Sequence, residues 1–433
     1  MNAIQNQELN NRILALENEA AKAAQSGRDQ DALKFWGRVL EIDPNHARTL
    51  TAIGQHAFKN GDAQSARVAF QRVVDTNGRD PQQWVNLALA CQRLKDEAGE
   101  EAAIKSALTV DPSDLLGLIL RGNLYERQGK SKLAAHAYGA AATVSPALEN
   151  LNPDLRPAVT HAMAFHAKFN QECARFMDEF LAPHYKEFAG EKLNRFRDSF
   201  DFVVGRKRRF ESQSLMYHYP GLPAIEFFER EDFPWLDAFE AATDGIRDEF
   251  LDILKVDQGF TPYITYPDDV PLNQWVDLNN SPNWSAFHLF KMGKRLEDNA
   301  AKCPLTMKLL EGAPQPDQPG RTPAAMFSLL KPKTRIPPHT GVSNARLVAH
   351  VPIIIPEACG FRVGNETREW VPGAAWVFDD TIEHEVWNES DKLRVVLIFD
   401  IWHPHLTPPE RAMITAMTDG MNAFTGEMGG FDL

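Results

Sequence analysis

The sequence predicts a chain of two different parts, an α-helical solenoid followed by a small β-barrel or β-sandwich with flanking helices, so the fold class is multidomain α and β. A 34-residue period runs through the first third, and short apolar runs separated by turn residues fill the last quarter. A chain of 433 residues is also longer than one hydrophobic core usually supports. We therefore expect two domains joined by a helical linker.

The 34-residue period appears in three sets of residues. Bulky residues recur at Leu16, Leu50, Trp84 and Leu118, and again at Trp36, Phe70, Ile104 and Tyr138. Small residues keep the same step at Ala32, Ala66 and Ala134, with Glu100 as the one break, and three repeats close on Pro44, Pro112 and Pro146. This is the tetratricopeptide pattern, in which small residues lie where paired helices touch and a proline ends each pair. Four repeats are expected over about residues 9–148, the first of them degenerate.

A stack of such helix pairs forms a solenoid because no pair can bury its apolar face alone. The predicted bounds are 1–150 for the solenoid, 151–199 for the helical linker and 200–433 for the second domain, with its core at about 320–408. We expect the groove of the solenoid to bind a peptide or another protein. The alternative is a surface used only for dimerisation or packing, because a repeat fold does not specify its ligand.

Three apolar runs in the last quarter predict buried strands. They extend from Arg346 to Ile355, from Ala374 to Phe378 and from Leu393 to Trp402. His339 stands a few residues before the first run, and His384 follows the second. Short strands with frequent turns favour a barrel or sandwich, in which these two histidines could converge on one metal ion.

Ligand chemistry alone does not establish that metal site. Imidazole binds iron, zinc and copper, but the usual non-haem iron site adds a carboxylate, which would stand two residues after the first histidine. Gly341 occupies that position. By residue type alone, two of 13 histidines at loop positions are more often surface or hydrogen-bonding residues.

The sequence motifs around the two histidines favour a metal site over these two alternatives. They comprise Pro338-His339-Thr340-Gly341, Asn344, Arg346, His350, Phe378-Asp379-Asp380, Glu383-His384-Glu385-Val386-Trp387, Arg394 and Asp400-Ile401-Trp402-His403-Pro404. With further matches over about residues 200–408, this text resembles the aspartyl/asparaginyl β-hydroxylase family, a branch of the Fe(II)- and 2-oxoglutarate-dependent dioxygenases. The resemblance implies a double-stranded β-helix, which is a jelly-roll or cupin-like fold. It also implies an iron site of two histidines without a carboxylate, in agreement with Gly341.

The resemblance assigns the central chemistry to three residues. His339 and His384 would be the metal ligands for Fe(II). Arg394 would pair with the distal carboxylate of the co-substrate 2-oxoglutarate, a task that suits a planar guanidinium because it can grip both carboxylate oxygens.

Four further residues receive supporting roles from the same resemblance. Ser328, Arg346 and His350 would contact the co-substrate, and Trp284 would lie on the substrate side of the pocket. In an alternating strand, Arg346, Val348 and His350 share one face. Without the resemblance, such a serine usually bonds backbone, such an arginine is a solvated charge, and such a histidine belongs to the core.

The chain departs from the animal members of the family at two positions. Those enzymes carry a second arginine where Val348 stands and a glutamine where Ala286 stands. Both changes remove polar groups that could hold an acidic side chain. The animal enzymes also place a cysteine pair in the loop before the core, where only Cys303 is present.

The predicted function is hydroxylation of an unactivated carbon, on an Asp/Asn-type or other residue of a peptide or protein, with the repeats binding substrate or partner. The alternatives are a hydroxylase of a small molecule or lipid acyl chain, and a non-catalytic interaction protein with a degenerate barrel. A structural zinc in the same pocket is a third reading, although structural zinc prefers four protein ligands.

Bulk properties set the remaining expectations. A net charge of -13 argues against a nucleic-acid partner. Four widely spaced cysteines without a CxxC pair predict free thiols in a reducing cytosol. The N-terminal residues have neither a basic region nor an apolar core, and no apolar run reaches ~18 residues. We therefore expect a cytoplasmic location and no membrane span.

Overall fold

A computed structural model describes residues 3–256, 259–267 and 269–426 of the chain. This part of the chain divides into two compact units, with the division between Arg206 and Lys207. The first unit is helical, and the second contains all the strands that the structure describes. None of the described helices is both long and apolar enough to cross a membrane.

The first unit begins with eight helices that pack as four successive pairs. They are α1 Ala3–Gln25, α2 Asp29–Ile42, α3 Ala47–Lys59, α4 Ala63–Thr76, α5 Pro81–Arg93, α6 Glu97–Val110, α7 Leu115–Arg127 and α8 Ser131–Val144. Gly54 and Gly122 mark the close contacts within two pairs, since a Cβ atom on either would lie 2.5 Å from the Phe70 ring or 2.2 Å from the Tyr138 ring. The predicted resemblance to a tetratricopeptide solenoid is confirmed by these pairs.

Glu100, the exception in the alanine series, is buried in the second half of the third pair. Both of its carboxylate oxygens accept from Arg127 Nη2 at 2.7 Å, and Oε1 also accepts from Gln92 Nε2 at 3.1 Å. A buried charge is tolerated when it is paired and hydrogen-bonded. The repeat therefore replaces a packing contact with an ion pair to the next helix.

The region predicted as a linker contains two helices, α9 Arg156–Glu187 and α10 Asn194–Val203. The long helix α9 packs against α8 and buries Val159 and Ala162 there, so its N-terminal part extends the stack of helices. The domain bounds 1–150, 151–199 and 200–433 stay predictions.

The second unit is built on two antiparallel sheets. The larger sheet has the order β1-β2-β4-β11-β6-β9, with β3 paired to β2, and the smaller has the order β5-β10-β7-β8. The strands are β1 Thr261–Pro262, β2 Trp284–Lys291, β3 Lys294–Arg295, β4 Ala325–Leu330, β5 Thr334–His339, β6 Arg346–Ile354, β7 Cys359–Val363, β8 Glu366–Arg368, β9 Trp376–Phe378, β10 His384–Asn388 and β11 Arg394–Trp402. The three strands predicted from apolar runs correspond to β6, β9 and β11.

Strands β4, β6, β9 and β11 of the larger sheet are buried on both faces, which explains why they are nearly continuous apolar runs. One face packs against helices, with Phe399 stacked on Phe239 and Phe327 against Phe250. The other face meets the smaller sheet, with Val396 beside Ile336. The helices of this unit are α11 Leu236–Ala241, α12 Thr243–Val256, α13 Glu297–Ala300, α14 Pro304–Glu311 and α15 Pro408–Thr425.

Candidate active site

A cavity of about 720 Å³ opens between the two sheets. Successive side chains of β6 point to opposite faces of the sheet. Leu347 and Ala349 face the helices, whereas Arg346, Val348 and His350 face the cavity. Every residue that the sequence nominated for the site lines this one cavity: Trp284, Ser328, His339, Arg346, His350, His384 and Arg394.

His339 and His384 face each other across two paired strands. His339 ends β5, His384 begins β10, and the two are Cα partners in the register. Their ring centroids lie 4.0 Å apart. His339 Nδ1 is 2.8 Å from the carbonyl oxygen of Pro337, and His384 Nδ1 is 3.0 Å from that of Ile382. Because a carbonyl can only accept, each Nδ1 carries the hydrogen and each Nε2 keeps a lone pair for a ligand.

Burial keeps both imidazoles neutral. It lowers the pKa of His339 to about 3, with a further contribution from the neighbouring His384. It lowers the pKa of His384 to about 4, against the opposing effect of the hydrogen bond to Ile382. A metal ion needs the unprotonated imidazole, so protons do not compete for these two nitrogens near neutral pH.

The third ligand position of a usual iron site is closed to a side chain. A Cβ atom on Gly341 would lie 2.0 Å from Asp380 Oδ2, and the Gly341 amide donates to the Asp380 carbonyl at 2.6 Å. Among the described residues, no cluster of three or more His, Cys, Asp or Glu side chains could hold a metal. Two neutral imidazoles are too few for a structural zinc site but suit an ion that keeps open positions.

The inner end of the cavity holds an arginine without an anion. Arg394 is 1% exposed, and no carboxylate of the described chain pairs with it. Its Nη1 donates to Ser328 Oγ at 3.3 Å, its guanidinium lies 4.4 Å from the centre of the Trp370 ring, and its Nε has no hydrogen-bond partner. Burial lowers the pKa of Arg394 to about 9, so the group is still charged at pH 7.

Ser328 connects Arg394 to the aromatic side chains that line the cavity. Its hydroxyl oxygen also accepts from Trp284 Nε1 at 3.3 Å, so the predicted substrate-side tryptophan contacts the same serine as Arg394 does. Tyr263 stacks on Trp284 with ring centroids 4.0 Å apart, and Trp275 lies edge-on to His339 at 5.1 Å. Tyr263 and Trp275 were missed from the sequence, because the segment before β2 has no clear strand period.

Arg346 differs from Arg394 because its charge is already matched. Its Nη2 lies 2.9 Å from Asp380 Oδ2, and its Nη1 lies 3.1 Å from Asp400 Oδ1. Burial raises the pKa of Asp400 to about 6 in spite of the nearby guanidinium. Neither aspartate was assigned a role from the sequence, although both stand in the motifs around the histidines. A co-substrate contact for Arg346 stays a prediction.

His350 is buried between the two sheets. It packs between the rings of Phe361, Phe378 and Trp370, and its Nδ1 has no hydrogen-bond partner among the described residues. Burial, with help from the Arg394 charge, holds the pKa of His350 well below its ordinary value. It is therefore a neutral side chain beside Arg394.

Comparison with known proteins finds a family model that matches part of the second unit. The family model described as aspartyl/asparaginyl beta-hydroxylase matches residues 240–404. The ornithine lipid ester-linked acyl 2-hydroxylase of Rhizobium tropici is 32% identical over 201 residues, which cover 46% of this chain and 67% of that protein. The chain belongs to the aspartyl/asparaginyl β-hydroxylase family.

The human and mouse aspartyl/asparaginyl beta-hydroxylases are each 33% identical to this family member over 223 residues, or 50% of its length. The matched region covers only 28% of the human protein and 29% of the mouse protein. The chain therefore spans less than a third of these two relatives. Among solved structures, the crystal structure of MamA protein aligns with 42% of the chain at 16% identity, with a TM-score of 0.33. A similarity this low adds nothing to the helix pairs described above.

Proposed function

We propose that this family member is an Fe(II)- and 2-oxoglutarate-dependent dioxygenase that hydroxylates an unactivated carbon. The observation that carries the proposal is the pairing of two sites in one cavity. Two neutral histidines with free Nε2 atoms lie in the cavity, and a buried guanidinium without an anion lies at its inner end. A metal ion and a dicarboxylate co-substrate would satisfy both.

The residues present fit these two groups. His339 and His384 would hold Fe(II), with Nδ1 of each ring fixed by a backbone carbonyl. Arg394 and Ser328 would bind the far carboxylate of 2-oxoglutarate, which supplies the missing countercharge. When bound, the iron and the co-substrate supply the oxidising chemistry, with succinate and carbon dioxide as co-products. Trp275, beside His339, helps to exclude water from the reacting end.

A double-stranded β-helix is part of the proposal. It is supported by the way in which the strands from β4 to β11 alternate between the sheets along the chain, with the β7–β8 hairpin as the one exception. Strands β4, β6, β9 and β11 belong to the larger sheet, whereas β5, β7, β8 and β10 belong to the smaller one. Both metal-ligand candidates lie on the smaller sheet, and Arg394 and Ser328 lie on the larger one. The predicted catalytic core at about 320–408 covers these eight strands.

The substrate is most simply a peptide or protein with an Asp/Asn-type or other reacting residue, bound with the help of the helical repeats. The human and mouse relatives are named for aspartyl and asparaginyl residues, which favours such a residue here. A lipid acyl chain is the second candidate, favoured by the Rhizobium tropici relative, of which the matched region covers 67%. A non-catalytic role is disfavoured by the intact histidine pair and Arg394. A cytoplasmic location remains part of the proposal and is supported by four cysteines that form no disulfide.

An anaerobic titration with Fe(II) and 2-oxoglutarate tests the proposal. A visible charge-transfer band is expected only when both are present, because the band requires the co-substrate to chelate the iron. The band should vanish in His384→Ala. In Arg394→Ala it should need roughly 10- to 100-fold more 2-oxoglutarate, the range expected for loss of a charge-assisted contact.

His288→Ala is the matched control. His288 is a largely buried histidine of β2 that does not line the cavity, and its Nδ1 has no partner to lose. This variant should keep the band at the original 2-oxoglutarate concentration. Absence of the band in well-folded wild-type protein would contradict the dioxygenase proposal and favour the interaction protein.

A further inference from the structure

Five large apolar side chains, the mouth cluster, line the cavity and are also exposed to solvent. They come from three segments of the second unit and are between 38% and 69% exposed: Leu215, Met216, Tyr263, Tyr266 and Met292. Single apolar side chains on a surface are ordinary, but several that line one opening are typical of a binding site. The mouth cluster therefore indicates a ligand that covers apolar surface outside the metal and co-substrate positions.

Met292 stands at a backbone position that disfavours a methionine. The turn between β2 and β3 has two residues, Met292 with a φ of 51° and Gly293 with a φ of 77°. A two-residue hairpin turn with positive φ at both positions favours Asn-Gly, because a longer side chain is strained in the left-handed region. The methionine side chain is nevertheless 53% exposed and lines the cavity. Neither backbone preference nor burial accounts for this residue, whereas contact with an apolar ligand does.

The mouth cluster is connected to both ends of the proposed site. The Leu215 amide donates to the carbonyl of Gly341 at 3.1 Å, two residues after His339. On the other side, Tyr263 stacks on Trp284 with ring centroids 4.0 Å apart. A ligand on the mouth cluster would thus continue from the reacting position toward solvent.

Apart from Arg394, the charged side chains of the described cavity lining have partners within the chain. Arg346 is matched by its two aspartates. Glu383 Oε1 accepts from Arg362 Nη2 at 3.0 Å. Arg321 also makes contacts within the chain. Since Arg394 is used by the proposed co-substrate, a charged ligand group would gain no new ion pair at the mouth, and an uncharged ligand is favoured.

Two side-chain amides favour a peptide over an alkyl chain as this ligand. Gln213 and Gln274 line the cavity and are exposed. Each amide can donate and accept hydrogen bonds, as a peptide group does. An alkyl chain would remove water from these amides without replacing their hydrogen bonds, which is unfavourable. The lining therefore suits a peptide with apolar side chains.

We propose that the mouth cluster binds uncharged apolar side chains of a peptide, next to the residue that reacts. This inference rests on the proposed function, because it specifies the substrate of the same cavity. Leu215 and Met292 are assigned as specificity-determining residues. The protein then selects its substrate by the neighbours of the reacting residue as well as by that residue itself.

Four acetylated and amidated pentapeptides test the inference: Gly-Xaa-Asn-Xaa-Gly, in which Xaa is methionine, glutamine, glutamate or lysine. These side chains have similar lengths and differ in polarity and charge. Binding is measured by calorimetry without oxygen, on metal-free protein and on protein holding Fe(II) and 2-oxoglutarate. We expect the methionine peptide to bind roughly 10-fold more tightly than the other three, as partial burial of apolar side chains predicts. N-decanoylglycinamide is the probe for a lipid acyl chain.

Met292→Asn separates ligand binding from folding. Asparagine is a favoured residue at this turn position, so the variant should unfold at the wild-type temperature or above it. The preference for the methionine peptide should nevertheless fall roughly 3-fold or more, because an apolar contact is lost. Leu215→Gln should reduce the preference to a similar extent. Met413→Gln is the matched control, since Met413 is 70% exposed on α15 and does not belong to the described cavity lining.

Five outcomes overturn the inference. They are a polar or charged peptide that binds as tightly as the methionine peptide, a preference that survives both mouth variants, a lower unfolding temperature of Met292→Asn, tighter binding of N-decanoylglycinamide, and no binding of any probe. The lower unfolding temperature would assign Met292 to packing, and tighter binding of N-decanoylglycinamide would assign the mouth cluster to a lipid acyl chain.

Failure of the proposed function is seen separately, as absence of the charge-transfer band in wild-type protein. A methionine preference in metal-free protein without that band would retain the peptide site and reject the dioxygenase. The band without any methionine preference would retain the dioxygenase and reject the peptide site.

Discussion

Arg394 is buried and Arg346 is largely buried on the wall of one cavity, yet their surroundings are opposite in charge. Arg394 has a serine hydroxyl and an aromatic ring for neighbours and no carboxylate. Arg346 has two carboxylates, one on each side of its guanidinium. The first region has a cation that needs an anion, and the second has anions that share a cation.

The difference teaches how to separate a binding residue from one that organises the protein. A buried charge without a partner is unfavourable in the free protein and is retained when a ligand completes it. A buried charge whose partners are already present mainly fixes the strands and loops that carry them. The resemblance to the family gave both arginines a co-substrate role, whereas the charges around them favour that role for Arg394.

Substitution of each arginine by methionine should have opposite effects on stability. Arg346→Met leaves Asp380 and Asp400 without a cation, so the free energy of unfolding should fall by about 3–5 kcal/mol. Arg394→Met removes a buried charge that has no partner, so stability should be unchanged or higher. Urea unfolding of the metal-free protein at pH 8, followed by tryptophan emission, measures both. Seven of the nine tryptophans lie in the second unit and report on it. Equal losses would contradict the comparison.

The pH dependence of stability extends the comparison from the arginines to the buried histidine His384 and the buried carboxyls. The folded-state pKa of His384 is about 4, below the unfolded value of about 6.5. Between these values the unfolded chain binds the additional proton, so the histidine makes stability fall as pH falls from about 6.5 to about 4. The carboxyls of Asp379 and Asp400, with pKa values raised to about 6, act in the opposite direction.

The histidine contribution is isolated by His384→Asn. This variant should lose up to about 1.4 kcal/mol of the pH effect for each pH unit within that window. Unfolding free energies at pH 6.5, 5.5 and 4.5 give the slope. The control is His218→Asn, which makes the same substitution at an exposed position outside the cavity lining. An unchanged slope in His384→Asn would contradict a lowered pKa of His384 in the folded chain.

The smallest expected effect concerns the ring beneath Arg394. Trp370→Leu removes a cation–π contact, so the affinity for 2-oxoglutarate should fall roughly 3- to 10-fold because the guanidinium is held less firmly. Trp376→Leu is the matched control, because Trp376 stacks on Trp370 and has no described contact with the guanidinium. The band titration measures both variants. Similar losses in the two would assign the effect to packing of the aromatic stack and not to Arg394.

The sequence predicted those features that depend on periodicity or on a series of short motifs. The 34-residue step gave the helix pairs, and the apolar runs gave β6, β9 and β11. The text around His339 and His384 led to the cavity in which all the nominated residues meet. These features are local in sequence, or repeat at a fixed interval, so a pattern can reveal them.

The charge distribution of the cavity could not be predicted in the same way. Arg346 meets Asp400 only through the register of β6 with β11, in which Val348 is the Cα partner of Asp400. It meets Asp380 through the turn before β10. Neither pairing is a property of a motif. The burial that leaves Asp380 Oδ1 and Arg394 Nε without partners is likewise set by the packing of the two sheets.

The two neighbours of Ser328 determine whether its hydroxyl group donates or accepts a hydrogen bond to a ligand. Arg394 and Trp284 both point N–H groups at its oxygen, which fills the two lone pairs and leaves only the hydroxyl hydrogen to give. A side chain that ordinarily gives and accepts is thus restricted to giving. The inner end of the cavity can therefore select ligands by hydrogen-bonding type as well as by length. It favours an oxygen atom that accepts a hydrogen bond over an amide nitrogen at the same position.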